Sequence, residues 1–220
     1  MVKQKATLAF ALLAGLVLTF YPGVLFAADP AVFVKGGNVY YRDAGDQVRQ
    51  VTNTGLDSGP TLSPDGTRIA FVRTIARGTQ YKEDDITALY LFDIVSGQEV
   101  RAIEPHPEFM SVHSPVFSLD GGFVYILASR WATSDAVYQV NLASRTERFI
   151  IDGNTETVIR NGPWRGYLLV SRHRYRPTGG SYNPTFVVRS DAKVMFMVPG
   201  TDVDENGVAP WLTKNGWAAW

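Results

Sequence analysis

A unit of about fifty residues recurs along this chain, and no other feature limits its possible folds as sharply. Val39-Tyr40-Tyr41-Arg42-Asp43, Leu89-Tyr90-Leu91-Phe92-Asp93, Val137-Tyr138-Gln139-Val140-Asn141 and Thr185-Phe186-Val187-Val188-Arg189 begin 50, 48 and 48 residues apart. Each is rich in β-branched and aromatic residues, the composition of a strand. Turn-forming clusters follow (Ala44-Gly45-Asp46, Ser96-Gly97, Ala143-Ser144, Ser190-Asp191), and then second apolar strands over 48–51, 99–103, 147–151 and 194–198. The unit is therefore a β-hairpin repeated four times.

A second element precedes the hairpins: Pro60-Thr61-Leu62-Ser63-Pro64-Asp65-Gly66, then Pro115-Val116-Phe117-Ser118-Leu119-Asp120-Gly121, and Pro210-Trp211-Leu212-Thr213-Lys214-Asn215-Gly216. Pro163-Trp164-Arg165-Gly166 is a degenerate further copy. Each leads into a continuous apolar run, at 69–72, 123–128, 167–170 and 217–220. A sheet wet on one face would alternate apolar with polar, so these strands are covered on both faces. Four strands per repeat, stacked face to face, describe the blades of a β-propeller.

The segment Pro60 to Val72, with Ser63-Pro64-Asp65-Gly66 and then Arg68-Ile69-Ala70-Phe71, resembles the repeat of the TolB-like propeller family. The copy at Pro115 has Leu119 in place of the second proline, and the last copy has Lys214 and Asn215. The resemblance implies an all-β propeller of about four four-stranded blades. It implies no activity, because such blades serve both as binding modules and as accessory domains of peptidases. Ala31-Val32-Phe33-Val34 reads as the second strand of a blade with no first strand ahead of it, whereas Pro210 to Gly216 reads as a first strand with its turn. The N- and C-terminal segments are thus expected to share one blade. A pair of chains forming a larger ring, a homodimer, is the competing way to cover the exposed edges.

Lys3 and Lys5, the apolar run from Ala6 to Phe20, and Leu25-Phe26-Ala27-Ala28 read as a signal peptide over 1–28, or as an N-terminal anchor. The propeller domain then occupies 29–220, and the expected location is periplasmic or secreted. Basic and acidic residues number 21 each, and without Lys3 and Lys5 the balance is 19 against 21, a net charge of −2. That gives no electrostatic case for a nucleic-acid partner. No cysteine is present, which excludes thiol catalysis and cysteine-ligated zinc. There is no Gly-x-Ser-x-Gly nucleophile elbow either.

Loops joining second to third strands, and one blade to the next, emerge on one rim of a propeller, and the stretches 73–88 and 171–184 are long. In Ser171-Arg172-His173-Arg174-Tyr175-Arg176, an extended backbone sends Arg172, Arg174 and Arg176 to one side and His173 and Tyr175 to the other. Three guanidiniums in register suit a carboxylate or phosphate, or pair with Glu83-Asp84-Asp85 on the same rim. Arg130 and Trp131 are a further candidate pair, either stacking on a sugar ring or packing between blades. Asp202, Asp204 and Asn206 have the spacing that opens a calcium loop, although Pro210 and Thr213 stand where the later ligands belong. His106, His113 and His173 fall on the rim as candidate ligands for another divalent metal. The leading reading is an exported, non-enzymatic binding module for a protein, an envelope polymer or an anionic glycan, with no cofactor. A metal-dependent lyase or hydrolase acting on an acidic polysaccharide is the alternative.

Overall fold

The computed structural model describes residues 28–78, 85–104, 111–130, 135–203 and 205–214. Its strands form four successive antiparallel sheets. The first contains β1 (Ala31–Lys35), β2 (Asn38–Arg42) and β3 (Val48–Gln50). The second is β4 (Asp57–Leu62), β5 (Arg68–Ala76), β6 (Ile86–Asp93) and β7 (Glu99–Arg101). The third is β8 (Val112–Phe117), β9 (Phe123–Ser129), β10 (Asp135–Asn141) and β11 (Thr146–Asp152). The fourth contains β12 (Asn154–Val158), β13 (Leu168–Ser171), β16 (Thr185–Val188) and β17 (Val194–Met197). A two-stranded hairpin of β14 (Arg174–Tyr175) and β15 (Ser181–Tyr182) interrupts it, and the helix α1 (Val208–Lys214) follows.

The continuous apolar runs are explained by which neighbour each side chain meets. Along β5, Ile69 and Phe71 pack with Val39 of the first sheet, whereas Ala70 between them packs with Val124, Ile126 and Val140 of the third. Along β9, Val124 and Ile126 face back, and Tyr125 and Leu127 face forward onto Leu168, Val170 and Val188. Successive side chains on a strand point to opposite faces, so every second residue serves a different interface and none is left for water. Burying the side chains on both faces removes each from water at about 1.5–3 kcal/mol apiece.

Arginines fasten one sheet to the next. Arg49 Nη2 donates to the Ile94 carbonyl at 2.7 Å, Arg68 Nη2 to the Gly121 carbonyl at 2.8 Å, and Arg148 Nη2 to the Ser190 carbonyl at 2.6 Å. Within the second sheet, Arg73 Nε donates to Asp57 Oδ1 at 2.6 Å, and its other nitrogens reach Glu99 at 2.5 and 2.9 Å. The Asp57 side chain is fully buried. Burial works against the Arg73 charge, yet the hydrogen bonds it donates to Glu99 and Asp57 outweigh this and hold the guanidinium above its ordinary value.

The two ends of the arc depart from the expected shared blade. Of Pro210 to Gly216, read as a first strand with its turn, residues 210–214 belong to a helix (Val208–Lys214), and 215–216 lie outside the described residues. Val208 and Leu212 are buried against Ile159, Leu169, Val187 and Val198, with Trp211 alongside, so α1 covers the outer face of the fourth sheet. Pro210 is tolerated because it lies in the first helical turn, where an amide hydrogen has no intrahelical partner to lose. No strand pairs with the second edge of β1 among the described residues, and 215–220 lie outside them. Phe33 and Tyr40 stack at 5.5 Å on the face of the first sheet that looks away from the second, and Phe33 remains 38% exposed.

Candidate functional site

One rim of the propeller is occupied by turns that satisfy themselves. Ser63 Oγ donates to Asp65 Oδ1 at 2.6 Å and accepts from the Arg68 amide at 2.9 Å, while Asp65 also accepts from the Thr67 amide. Ser118 and Asp120 repeat this, at 2.6 Å between side chains and 3.0 Å from the Phe123 amide to Ser118 Oγ. The Ser63 hydroxyl first, and then the Thr67 amide, draw the Asp65 carboxyl down to about 2. Gly66 and Gly121 take φ of 70° and 69°, a region that side chains with a Cβ rarely adopt. The repeated Ser-x-Asp-Gly is thus a turn device. The aspartates and asparagine that end the hairpin strands do the same, Asp93 accepting from the Ser96 amide and Asn141 from the Ala143 amide.

The opposite rim carries the longer connections. Gly153, at the crossing from the third sheet to the fourth, has φ 141°, and a Cβ there would lie 2.5 Å from the Ser171 carbonyl oxygen. That close approach draws the β13–β14 segment against the third sheet. Arg172 Nε donates to the Asp152 carbonyl at 2.9 Å across the junction. Arg174 lies over the Phe186 ring at 5.7 Å. Arg176 lies over Tyr182 at 4.2 Å and donates to the Asp202 carbonyl at 2.7 Å. The His173 and Tyr175 rings meet edge-on at 4.9 Å, consistent with one side of an extended segment, and Tyr175 is 75% exposed.

No carboxylate of a described residue lies within ion-pair distance of these three arginines, whereas Arg73, Arg77, Arg101, Arg130 and Arg189 each have one. Asp85, expected as a partner of the triplet, pairs instead with Arg77 at 2.8 Å; Glu83 and Asp84 lie outside the described residues. Burial, and then the adjacent Arg174 charge, pull the Arg172 guanidinium below its ordinary value. The triplet is a concentration of positive charge held in place by carbonyl oxygens and ring faces, with Arg174 and Arg176 exposed.

The remaining candidates are spread along the same rim. Arg130 Nη1 lies 3.8 Å from Asp152 Oδ1 and over Phe149; Trp131 is outside the described residues. His113 Nε2 sits 3.1 Å from Asp135 Oδ2, its other nitrogen 3.0 Å from Ser114 Oγ, and His173 Nδ1 is 2.9 Å from Asn183 Oδ1. His106 and Asp204 lie outside the described residues. Asp202 belongs to a turn, and Asn206 to a 3-10 turn (Glu205–Gly207) that runs directly into α1, so a helix flanks this loop where the sequence suggested none. Among the described residues, no group of three or more His, Asp or Glu side chains is placed to hold a metal.

A feature that sequence reading missed lies at the other end of the molecule. A cavity of about 620 Å³ is bounded by Asp29 to Val32, Pro60 to Pro64, Val116, Phe117, Leu119, Thr157, Val158 and Arg160. These are the start of β1 and the ends of β4, β8 and β12, so the cavity sits on the axis near the Ser-x-Asp-Gly turns. The prolines at 30, 60 and 64 were its only trace in the sequence.

The architecture places the chain among β-propellers, and its structural neighbours are of the TolB-like kind. TolB from Acinetobacter baumannii superposes with a TM-score of 0.51 at 18% identity, covering 74% of this chain and 38% of that one. The tricorn protease gives 0.57 at 16% identity, over 80% and 16%. Porphyromonas gingivalis dipeptidyl peptidase 4 gives 0.54 at 12%, over 78% and 31%. The chain therefore spans well under half the length of each of these three, and the likeness is one of fold. No family model and no curated protein matches the sequence. Among the described residues no helix is long and apolar enough to cross a membrane.

Proposed function

We propose that this is an exported binding module that takes an anionic ligand, either a carboxylate-bearing polymer or an acidic protein surface, on the rim formed by Arg172, Arg174, Arg176 and Tyr175. The observation that carries the reading is three guanidiniums gathered on one short segment, none within ion-pair distance of a carboxylate among the described residues, with Arg174 and Arg176 exposed and Arg172 feeling the Asp152 charge. A guanidinium held by a ring face loses little rotamer freedom on meeting a carboxylate, and its planar fork donates to the two oxygens bidentately. Tyr175 offers an exposed ring beside the charges, which suits a sugar or peptide face. Lys3 and Lys5 ahead of the apolar run support reading 1–28 as a signal peptide or N-terminal anchor, which suits a module that works in the periplasm or outside the cell.

Titration with polygalacturonate, with neutral dextran as control, tests this. Arg174→Ala with Arg176→Ala is expected to weaken polygalacturonate binding at least tenfold while the melting temperature moves by only a few degrees, and added salt is expected to weaken the wild type. Equal binding by the double variant overturns the reading.

A further inference from the structure

The geometry points to a second binding site, independent of the rim: the vacant innermost position of the first sheet, which receives a single extended peptide from a partner chain as its fourth strand. The other three sheets fill this position with β4, β8 and β12, and the first sheet starts at β1 with that edge unpaired among the described residues.

The register specifies which groups are on offer. Gly36 and Gly37, at φ 59° and 69°, form a two-residue loop closed by the pair Lys35–Asn38. In such a hairpin the closing pair exchanges both backbone hydrogen bonds, and the pattern alternates from there. Phe33 and Ala31 therefore face β2, and the amide and carbonyl of Val32 and Val34 face the empty edge. The second sheet shows how they are used. Phe33 pairs with Tyr40 as Phe71 pairs with Tyr90, so Val32 and Val34 stand where Ala70 and Val72 stand. Those two residues pair with Thr61 and Ser58 of β4.

The space and the chemistry of its occupant follow from the neighbouring blades. The cavity of about 620 Å³ opens at the start of β1, and its volume falls within the range of ligand pockets. It is bounded on its other sides by the ends of β4, β8 and β12, and an added strand would lie about 4.8 Å from β1. The inner strands β4 and β8 share a pattern: Gly59-Pro60-Thr61-Leu62-Ser63 and Ser114-Pro115-Val116-Phe117-Ser118. In both, the residue before proline has positive φ, 54° at Gly59 and 50° at Ser114, and the ladder shifts register there. The peptide that fits is thus extended, with Gly or Ser before Pro, one residue, an apolar residue and then Ser. Main-chain pairing supplies its affinity and the alternate side chains its selectivity. The chain's own copy at Pro210-Trp211-Leu212 is committed to α1 and does not fill the slot.

The probe is a synthetic nonapeptide with the sequence of residues 57–65, against a scrambled version of the same composition. It is expected to bind saturably and to raise the melting temperature, as any ligand of the folded state does. Val32→Pro removes the outward amide hydrogen, and proline is tolerated where an edge amide faces away from the ladder. It is expected to lower affinity at least tenfold, whereas Val32→Thr, which keeps the amide, retains binding. Val34→Pro is expected to repeat the loss and decides the matter should Val32→Pro fail to fold. The rim variant with Arg174→Ala and Arg176→Ala is expected to bind the nonapeptide as the wild type does. Absence of saturable binding, equal binding of the scrambled peptide, wild-type affinity in the folded proline variants, or loss of binding in the rim variant overturns the proposal.

Discussion

The two ends of the arc solve the same problem differently. At the C-terminal end, the fourth sheet has a full set of strands, and its outer apolar face is sealed by α1 through Val208, Trp211 and Leu212. At the N-terminal end, the first sheet has three strands among the described residues and leaves Phe33, Tyr40 and Val48 facing outward. A stack of repeats needs caps, because each internal unit relies on a neighbour to cover its apolar face. The capped end carries that cover within the chain. Among the described residues the open end has both an unpaired ladder edge and an uncovered face, and a free edge is a template for another strand.

The largest effect is expected in the second sheet, on which the open end packs, where Asp57 lies fully buried beneath Arg73. Arg73→Met leaves that carboxylate without its partner, and chemical denaturation is expected to show a loss of about 3–5 kcal/mol. Next is the capped end. Leu212→Ala opens a cavity beneath α1, and the same measurement is expected to give a loss of about 3 kcal/mol. Smallest is the exposed face: Phe33→Ala removes a ring that is already partly in water, with a change within about 1 kcal/mol. A Phe33→Ala penalty equal to that of Leu212→Ala would mean that the first sheet is covered after all, and the contrast between the ends would vanish.

Much of this was legible in the sequence where the cause is local. The four hairpins follow from strand composition and Asx turns, as at Asp93 and Asn141, whose side chains bond amides two or three residues on. The both-face burial of 69–72 and 123–128 follows from their unbroken apolar runs. The helix at Val208–Lys214 was hidden because Pro210 to Gly216 copies the spacing of a strand and turn. Its fate was decided by tertiary partners: Trp164, which stands in the degenerate copy, packs against Phe196 at 5.0 Å, and Phe196 in turn meets Trp211 at 5.8 Å. The inter-sheet arginines were equally hidden, since Arg49, Arg68 and Arg148 bond carbonyls, which every residue has. On the rim, the residues of the triplet were legible but not its anchors, because the Asp152 carbonyl, at the end of β11, and the Asp202 carbonyl, in a turn, come from segments distant in the chain.

The self-contained bonding of Ser63 with Asp65 and of Ser118 with Asp120 has one more consequence. A turn that satisfies its own side chains and amides can be duplicated along a gene and still fold in each new setting. The opposite end, where contacts such as Arg176 to Asp202 join segments far apart in the chain, is under no such uniformity and is free to differ from one blade to the next.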